Sequence, residues 1–227
     1  MAPRAPWILP ALAWLLLAAA CGGGGDDGTP SASPYAADDG LRRLLVTGGR
    51  WDLSGSAAGQ PFTMTITLAP TASGPFPVTG VFAARSIQTV SLATGGQTST
   101  STETIYYAPQ TNAVIGLEAD GTCSVATSNT PVPATAPMGA GGPIFAETDL
   151  DGCLAGSNSL GTTTNTWSLE MDSGVSLLCW NMAAKDPAGA PTGNASTCFE
   201  IAVDGTLGAR ARFNVAAGAL SFSARNF

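Results

Sequence analysis

Apolar and hydroxyl-bearing residues alternate one by one along much of this chain. Phe62-Thr63-Met64-Thr65-Ile66-Thr67-Leu68 keeps a period of two without a break. Thr166-Trp167-Ser168-Leu169-Glu170-Met171-Asp172 repeats it, with Trp167, Leu169 and Met171 expected on the buried side. Such a period sends alternate side chains to opposite faces, the signature of strands with one face in a core. Arg210-Ala211-Arg212-Phe213-Asn214-Val215 and Leu220-Ser221-Phe222-Ser223 finish the chain in the same fashion. Between the runs stand Asp120-Gly121, Asp151-Gly152, Ser173-Gly174 and Asp204-Gly205, pairs suited to the positive-φ turns of hairpins. No stretch after residue 40 holds a 3.6-residue period through three turns. The expected fold class is all-β and mostly antiparallel, a sandwich or barrel of one or two β modules.

A boundary is expected at residues 129–143, Asn-Thr-Pro-Val-Pro-Ala-Thr-Ala-Pro-Met-Gly-Ala-Gly-Gly-Pro. Proline there cannot donate to a ladder, and glycine has no side chain to pack. The segment divides the body into an N-terminal half, 41–128, and a C-terminal half, 144–227. The halves carry no internal repeat, and one continuous sandwich or barrel fits nearly as well as two modules.

Four cysteines lie in the body, Cys123, Cys153, Cys179 and Cys198. Strand parity selects among their three pairings. In Val175-Ser176-Leu177-Leu178-Cys179-Trp180-Asn181-Met182, the cysteine lies opposite Leu178, Trp180 and Met182. In Cys198-Phe199-Glu200-Ile201-Ala202-Val203, it lies opposite Phe199, Ile201 and Val203. If those apolar sets share a core, both cysteines project from its reverse face, and neighbouring antiparallel strands let them meet. The expected disulfides are therefore Cys179–Cys198 and, by remainder, Cys123–Cys153. A metal site is not expected from these cysteines, because no CxxC spacing and no histidine accompany them.

The amino terminus differs from the body. Arg4 precedes an apolar run from Trp7 to Ala20, broken at Pro10 and short of the ~20 residues that span a bilayer. A basic start, short apolar core and small-residue end read as a secretory signal peptide, residues 1–20. Leu17-Ala18-Ala19-Ala20-Cys21 resembles the lipobox of bacterial lipoproteins, with Leu one place earlier than usual. The resemblance implies that Cys21 is acylated and becomes the first mature residue, a membrane anchor of several chains. Gly22, standing where that family's retention signal has Asp, implies the outer membrane, facing the periplasm or the cell surface. Residues 21–40 then read as a flexible tether, rich in Gly, Asp, Pro, Ser and Ala. An exported chain also suits disulfides.

Composition removes several function classes. Lys and Arg number 9 against 16 Asp and Glu, a formal charge of −7, which makes nucleic acid an unexpected partner. Only 11% of residues are charged, so hydroxyls and small side chains must cover much of the surface. The absence of histidine rules out Ser-His-Asp and Cys-His catalysis. No Walker pattern occurs, and no cofactor is expected. Carboxylate pairs are the remaining catalytic option, with Glu118/Asp120 and Glu147/Asp149/Asp151 as the local clusters. Glu147 to Gly152 also resembles the start of a calcium loop, but without the closing Glu of that pattern it reads as a β-turn. No catalytic, cofactor or metal residue is therefore assigned.

Gly49-Arg50-Trp51 precedes the Phe62–Leu68 run. This order resembles the opening of calycin barrels such as lipocalins and avidins. It implies an interior for a small apolar ligand, with Trp51 plugging one end; burial of Trp51 in any β core is the plainer expectation. Tyr106-Tyr107 cannot both point inward, so one is expected to be exposed. Three function classes follow: a lipid-anchored envelope protein with a non-catalytic β domain for binding or structural contact, a calycin-like carrier, and a carboxylate-dependent glycan hydrolase. The first is expected; a closed barrel with a deep apolar cavity would favour the second.

Overall fold

A computed structural model describes residues 33–227 apart from Ala58 and Ala219. The signal peptide, Cys21 and most of the expected tether lie outside the described residues. One helix, α1 (Ala37–Val46), leads into twelve strands. They are β1 (Gly49–Ala57), β2 (Gln60–Pro75), β3 (Phe82–Thr94), β4 (Gln97–Tyr107), β5 (Val114–Ala119) and β6 (Thr122–Asn129), followed by β7 (Gly141–Leu150), β8 (Ser159–Asp172), β9 (Val175–Lys185), β10 (Pro191–Ile201), β11 (Leu207–Ala217) and β12 (Leu220–Arg225). Each strand pairs antiparallel with its sequence neighbours, and β12 returns to β1, closing the sheet into a barrel. Barrel closure removes every sheet edge.

The alternation explains which side each residue takes. In β2, Phe62, Met64, Ile66 and Leu68 point into the lumen and are buried, while Thr63, Thr65 and Thr67 point out. The same parity sends Thr100, Thr102 and Thr104 of β4 and Thr162, Thr164 and Thr166 of β8 outward. The outer wall is thus hydroxyl-rich where a lipid-embedded barrel carries an apolar band. Asp120-Gly121 and Ser173-Gly174 form the expected tight turns, with φ of 51° and 82°, and 51° and 75°. Trp167 and Leu169 are buried, but Met171 is exposed, because β8 runs past the packed core as it nears its turn. Val203 also stays outside, in the turn beyond β10.

Both expected disulfides form, Cys179–Cys198 as strand parity requires and Cys123–Cys153 as the remaining pair. Cys179 and Cys198 stand directly opposite each other in the β9–β10 register and bridge on the outer wall. Leu178 and Phe199 pair on the lumen side. Val175, Leu177 and Phe227 cover the bridge. Cys123–Cys153 ties the start of β6 to the loop between β7 and β8. The 129–143 segment is the β6–β7 connection, and strand pairing crosses it on both sides. The two halves are therefore arcs of one barrel.

Helix α1 corrects the expectation of a tether to residue 40. Ala37, Gly40, Leu41, Leu44 and Leu45 repeat at helical spacing and are all buried. Asp38 and Asp39 in the first turn and Arg43 in the last complement the helix dipole. The interior glycine is there for space: a Cβ at Gly40 would lie 2.8 Å from both Ile201 Cδ1 and Leu178 Cδ2. The helix crosses the barrel end at which β1 begins. Its entry is held by Tyr35, bonded to Ala136 in both directions, and by the Ala36 amide donating to the Val203 carbonyl. Its exit is held by the Ser86 and Tyr107 hydroxyls, both donating to the Leu45 carbonyl. This end of the barrel is plugged.

Closure itself is narrow. β12 meets β1 through only three register pairs, Ser54–Arg225, Gly55–Ala224 and Ser56–Ser223. Where β12 runs out, the Asn226 side chain continues the ladder, accepting from the Ala211 amide at 2.8 Å and donating to the Ala209 carbonyl at 3.0 Å. The Trp51 indole adds a 2.9 Å bond to the Gly208 carbonyl while its ring packs on Phe199. Trp51 is buried, as any β-core tryptophan should be, and its bond fastens this seam.

Candidate functional site

The strands place two unlike walls around the lumen. On β1, β2 and β9–β12 the inward positions are mostly apolar, including Phe62, Met64, Trp180, Met182, Phe199, Phe213 and Phe222, with Thr197 among them. On β3–β8 they include Gln88, Ser101, Glu103, Ser124, Glu147, Asp149, Thr163 and Asn165. The strand cations Arg50, Arg85, Lys185, Arg210, Arg212 and Arg225 all take outward register positions. Three lumen carboxyl groups therefore have no basic side chain on the strands facing them.

Glu147 is the most constrained of the three. It is 2% exposed, and its Oε1 accepts from Asn165 Nδ2 at 3.0 Å. The Trp180 indole donates to Asn165 Oδ1 at 2.8 Å, which fixes the amide with its NH2 toward Glu147. Glu147 Oε2 has no hydrogen-bond partner. Asp149 is better supplied, accepting from Ser124 at 2.7 Å and Thr163 at 2.9 Å. Glu103 lies on the same polar arc, in β4, with β5 and β6 between it and β7. Burial raises the Glu147 carboxyl to about 8, with the Asp149 and Glu103 charges adding to it and the Asn165 bond opposing. Burial, then the Asp149 charge, raises Glu103 to about 7.

A chamber of about 40 Å³ lies among Leu44, Leu68, Glu103, Asn165, Trp180, Met182 and Phe199. Helix α1 forms its floor through Leu44. Pockets that enclose a drug-sized ligand measure roughly 300–1,000 Å³, so this one takes a water or a single small head group. Away from the helix, burial of inward residues falls. β4 passes from buried Ile105 through half-buried Glu103 to exposed Ser101, and β11 passes from buried Ala211 to half-buried Phe213 and Val215. The barrel is a cup, filled beside the helix and open at the far end.

These positions correct the expected turn at Glu147 to Gly152. Glu147 and Asp149 sit within β7 and face the lumen, and only Asp151 and Gly152 lie in the following loop. There Asp151 accepts from the Asn158 amide and side chain, each at 2.8 Å. Glu118 and Asp120 do not converge: Glu118 accepts from Tyr106 on the outer wall, and Asp120 belongs to the β5–β6 turn. Both Tyr106 and Tyr107 are buried, against expectation. Tyr107 points inward to α1, and Tyr106 points outward beneath Phe76, which the β2–β3 connection folds over it. Glu147 and Asp149 stand out in the sequence as a carboxylate cluster, but their inward placement, and Glu103 altogether, are hidden because inward strand positions are expected to be apolar. Their shared parity with Phe145 is the signal that marks them as inward.

No protein-family model, curated protein or solved structure matches this chain. The barrel has more strands than the ~8 of lipocalins.

Proposed function

We propose that this protein is a lipid-anchored bacterial envelope protein whose barrel is a non-catalytic binding domain, taking a small, largely apolar ligand through the open end of the lumen. The observation that carries the reading is the cup itself: one end plugged by α1, the other lined by half-buried Val90, Leu92, Met182, Phe213, Val215 and Phe222. Apolar surface left accessible inside a concavity is the usual mark of a ligand site. The small chamber argues against a deep calycin-type cavity, so the ligand body would rest in the mouth.

Binding is tested with Nile red, a neutral dye whose emission rises in apolar surroundings. Saturable enhancement, displaced by 1-octanol, is expected. Ala195 faces the lumen opposite Met182 and Val215, and Ala195→Trp should weaken binding by roughly tenfold through loss of space. A dye response unchanged by Ala195→Trp would place the dye elsewhere and defeat the reading.

The anchor is supported by the lipobox resemblance at Cys21. Protein recovered from membranes of an expressing bacterium is expected to lack residues 1–20 and to carry added acyl mass. Cys21→Ala should shift it to the soluble fraction. Intact mass showing residues 1–20 retained without acyl chains would refute the anchor and leave the lumen reading untouched.

A further inference from the structure

The lumen joins three features that select one ligand chemistry. The first is acid without base: Glu103, Glu147 and Asp149 face inward while the strand cations face outward. The second is Glu147 Oε2, an acceptor at a side chain only 2% exposed that has no donor. An unmatched buried acceptor is costly, and a donor brought into the lumen from outside the chain would relieve it. The third is the chamber wall, where the Trp180 and Phe199 rings stand with the Glu103 carboxyl around a space sized for one head group. Carboxylates supply charge-assisted acceptors, and aromatic faces attract cations, so together they favour an ammonium over a neutral hydroxyl or a carboxylate.

We propose that the lumen recognises an amphipathic amine, its ammonium group held in the chamber between the Glu103 carboxyl and the Trp180 ring, and its apolar body lying in the open mouth. This rests on the reading of the barrel as a lumen-binding protein. A hard metal ion is the competing occupant, but no three carboxylate oxygens of this wall lie within 4.8 Å of one another among the described residues. An ammonium carried on a chain tolerates that wider spacing better than a coordination sphere does.

The full-length protein is titrated with octylammonium, 1-octanol, octanoate and calcium chloride, with Trp fluorescence as the readout because Trp180 lines the chamber. Octylammonium should bind ~10-fold or more tightly than 1-octanol, with octanoate weakest. Glu103→Gln should erase that preference while leaving 1-octanol binding in place. Glu147→Gln, which removes the acid behind Asn165, is the second variant should the first fold poorly, and it should reduce the preference. Equal affinity for octylammonium and 1-octanol, or a preference that survives both variants, overturns the amine and leaves the lumen-binding reading standing. Calcium chloride alone displacing octylammonium from the same site overturns the amine in favour of a metal. Failure of every probe overturns both readings.

Discussion

Gly55→Val should destabilise the protein by more than about 4 kcal/mol, seen as a large fall in the urea midpoint, whereas Ser54→Val beside it should cost little. Gly55 sits in the middle of the three-pair seam that closes the barrel. A Cβ there would stand 2.2 Å from the Ser223 carbonyl oxygen and 3.1 Å from Ala224 Cα, both backbone atoms that no rotamer change can move. Phe62 Cζ, at 2.6 Å, blocks the remaining direction. The only relief is to part β1 from β12, which would expose two strand edges and the core behind them. Ser54 already carries a side chain outward at the adjacent seam position, so valine there changes chemistry without forcing a backbone shift. A Gly55→Val protein with an unchanged midpoint would show that the seam tolerates opening and contributes little to stability.

Much of this barrel was legible because strand parity is a local property that tertiary structure rarely reverses. The Thr-alternating β2 run reads directly as one apolar and one hydroxyl face, and the same parity selects Cys179–Cys198 and leaves Cys123–Cys153 as the remainder. What could not be read depended on partners distant in sequence. Helix α1 begins within a stretch whose Ala, Asp and Gly content suits a tether; Gly40 looks like a helix breaker until Ile201 and Leu178 are seen to leave room for nothing larger. Tyr106 faces outward as parity demands, yet it is buried because the β2–β3 connection folds Phe76 over it. The inward acids on β7 are the deepest departure, since Phe145, Glu147 and Asp149 share one face while Leu150 takes the other. Hydrophobic pattern identifies a buried face only when that face is apolar. Here one arc of the lumen is polar, and a departure of that kind marks the place where binding competes with stability.

That competition has a measurable pH signature. Thermal stability is expected to be greatest near pH 5 and to fall steadily toward pH 8.5, and Glu147→Gln should flatten most of the fall. In the unfolded chain Glu147 ionises near its ordinary 4.5; in the barrel it holds its proton until about pH 8. The stability tied to the protonated side chain is therefore complete below about pH 4.5 and drains away as pH rises through the window up to about 8, where the native carboxyl also ionises. At roughly 1.4 kcal/mol per pH unit, the loss from this one group is of order 4–5 kcal/mol. Glu103, raised to about 7, adds a loss of the same sign over a narrower window. Asp172 and Glu200 act oppositely: their Arg212 and Arg210 partners lower them, so their stabilisation fades only as pH falls below the ordinary carboxylate range. The maximum lies between these regimes. Glutamine keeps the shape of the protonated acid and cannot ionise, so Glu147→Gln should gain most at pH 8.5 and little at pH 5. Equal gains at both pH values would mean that Glu147 is already ionised in the native barrel near pH 5. A cation bound beside Glu103 would favour ionised carboxyls in the lumen and so counter the same loss.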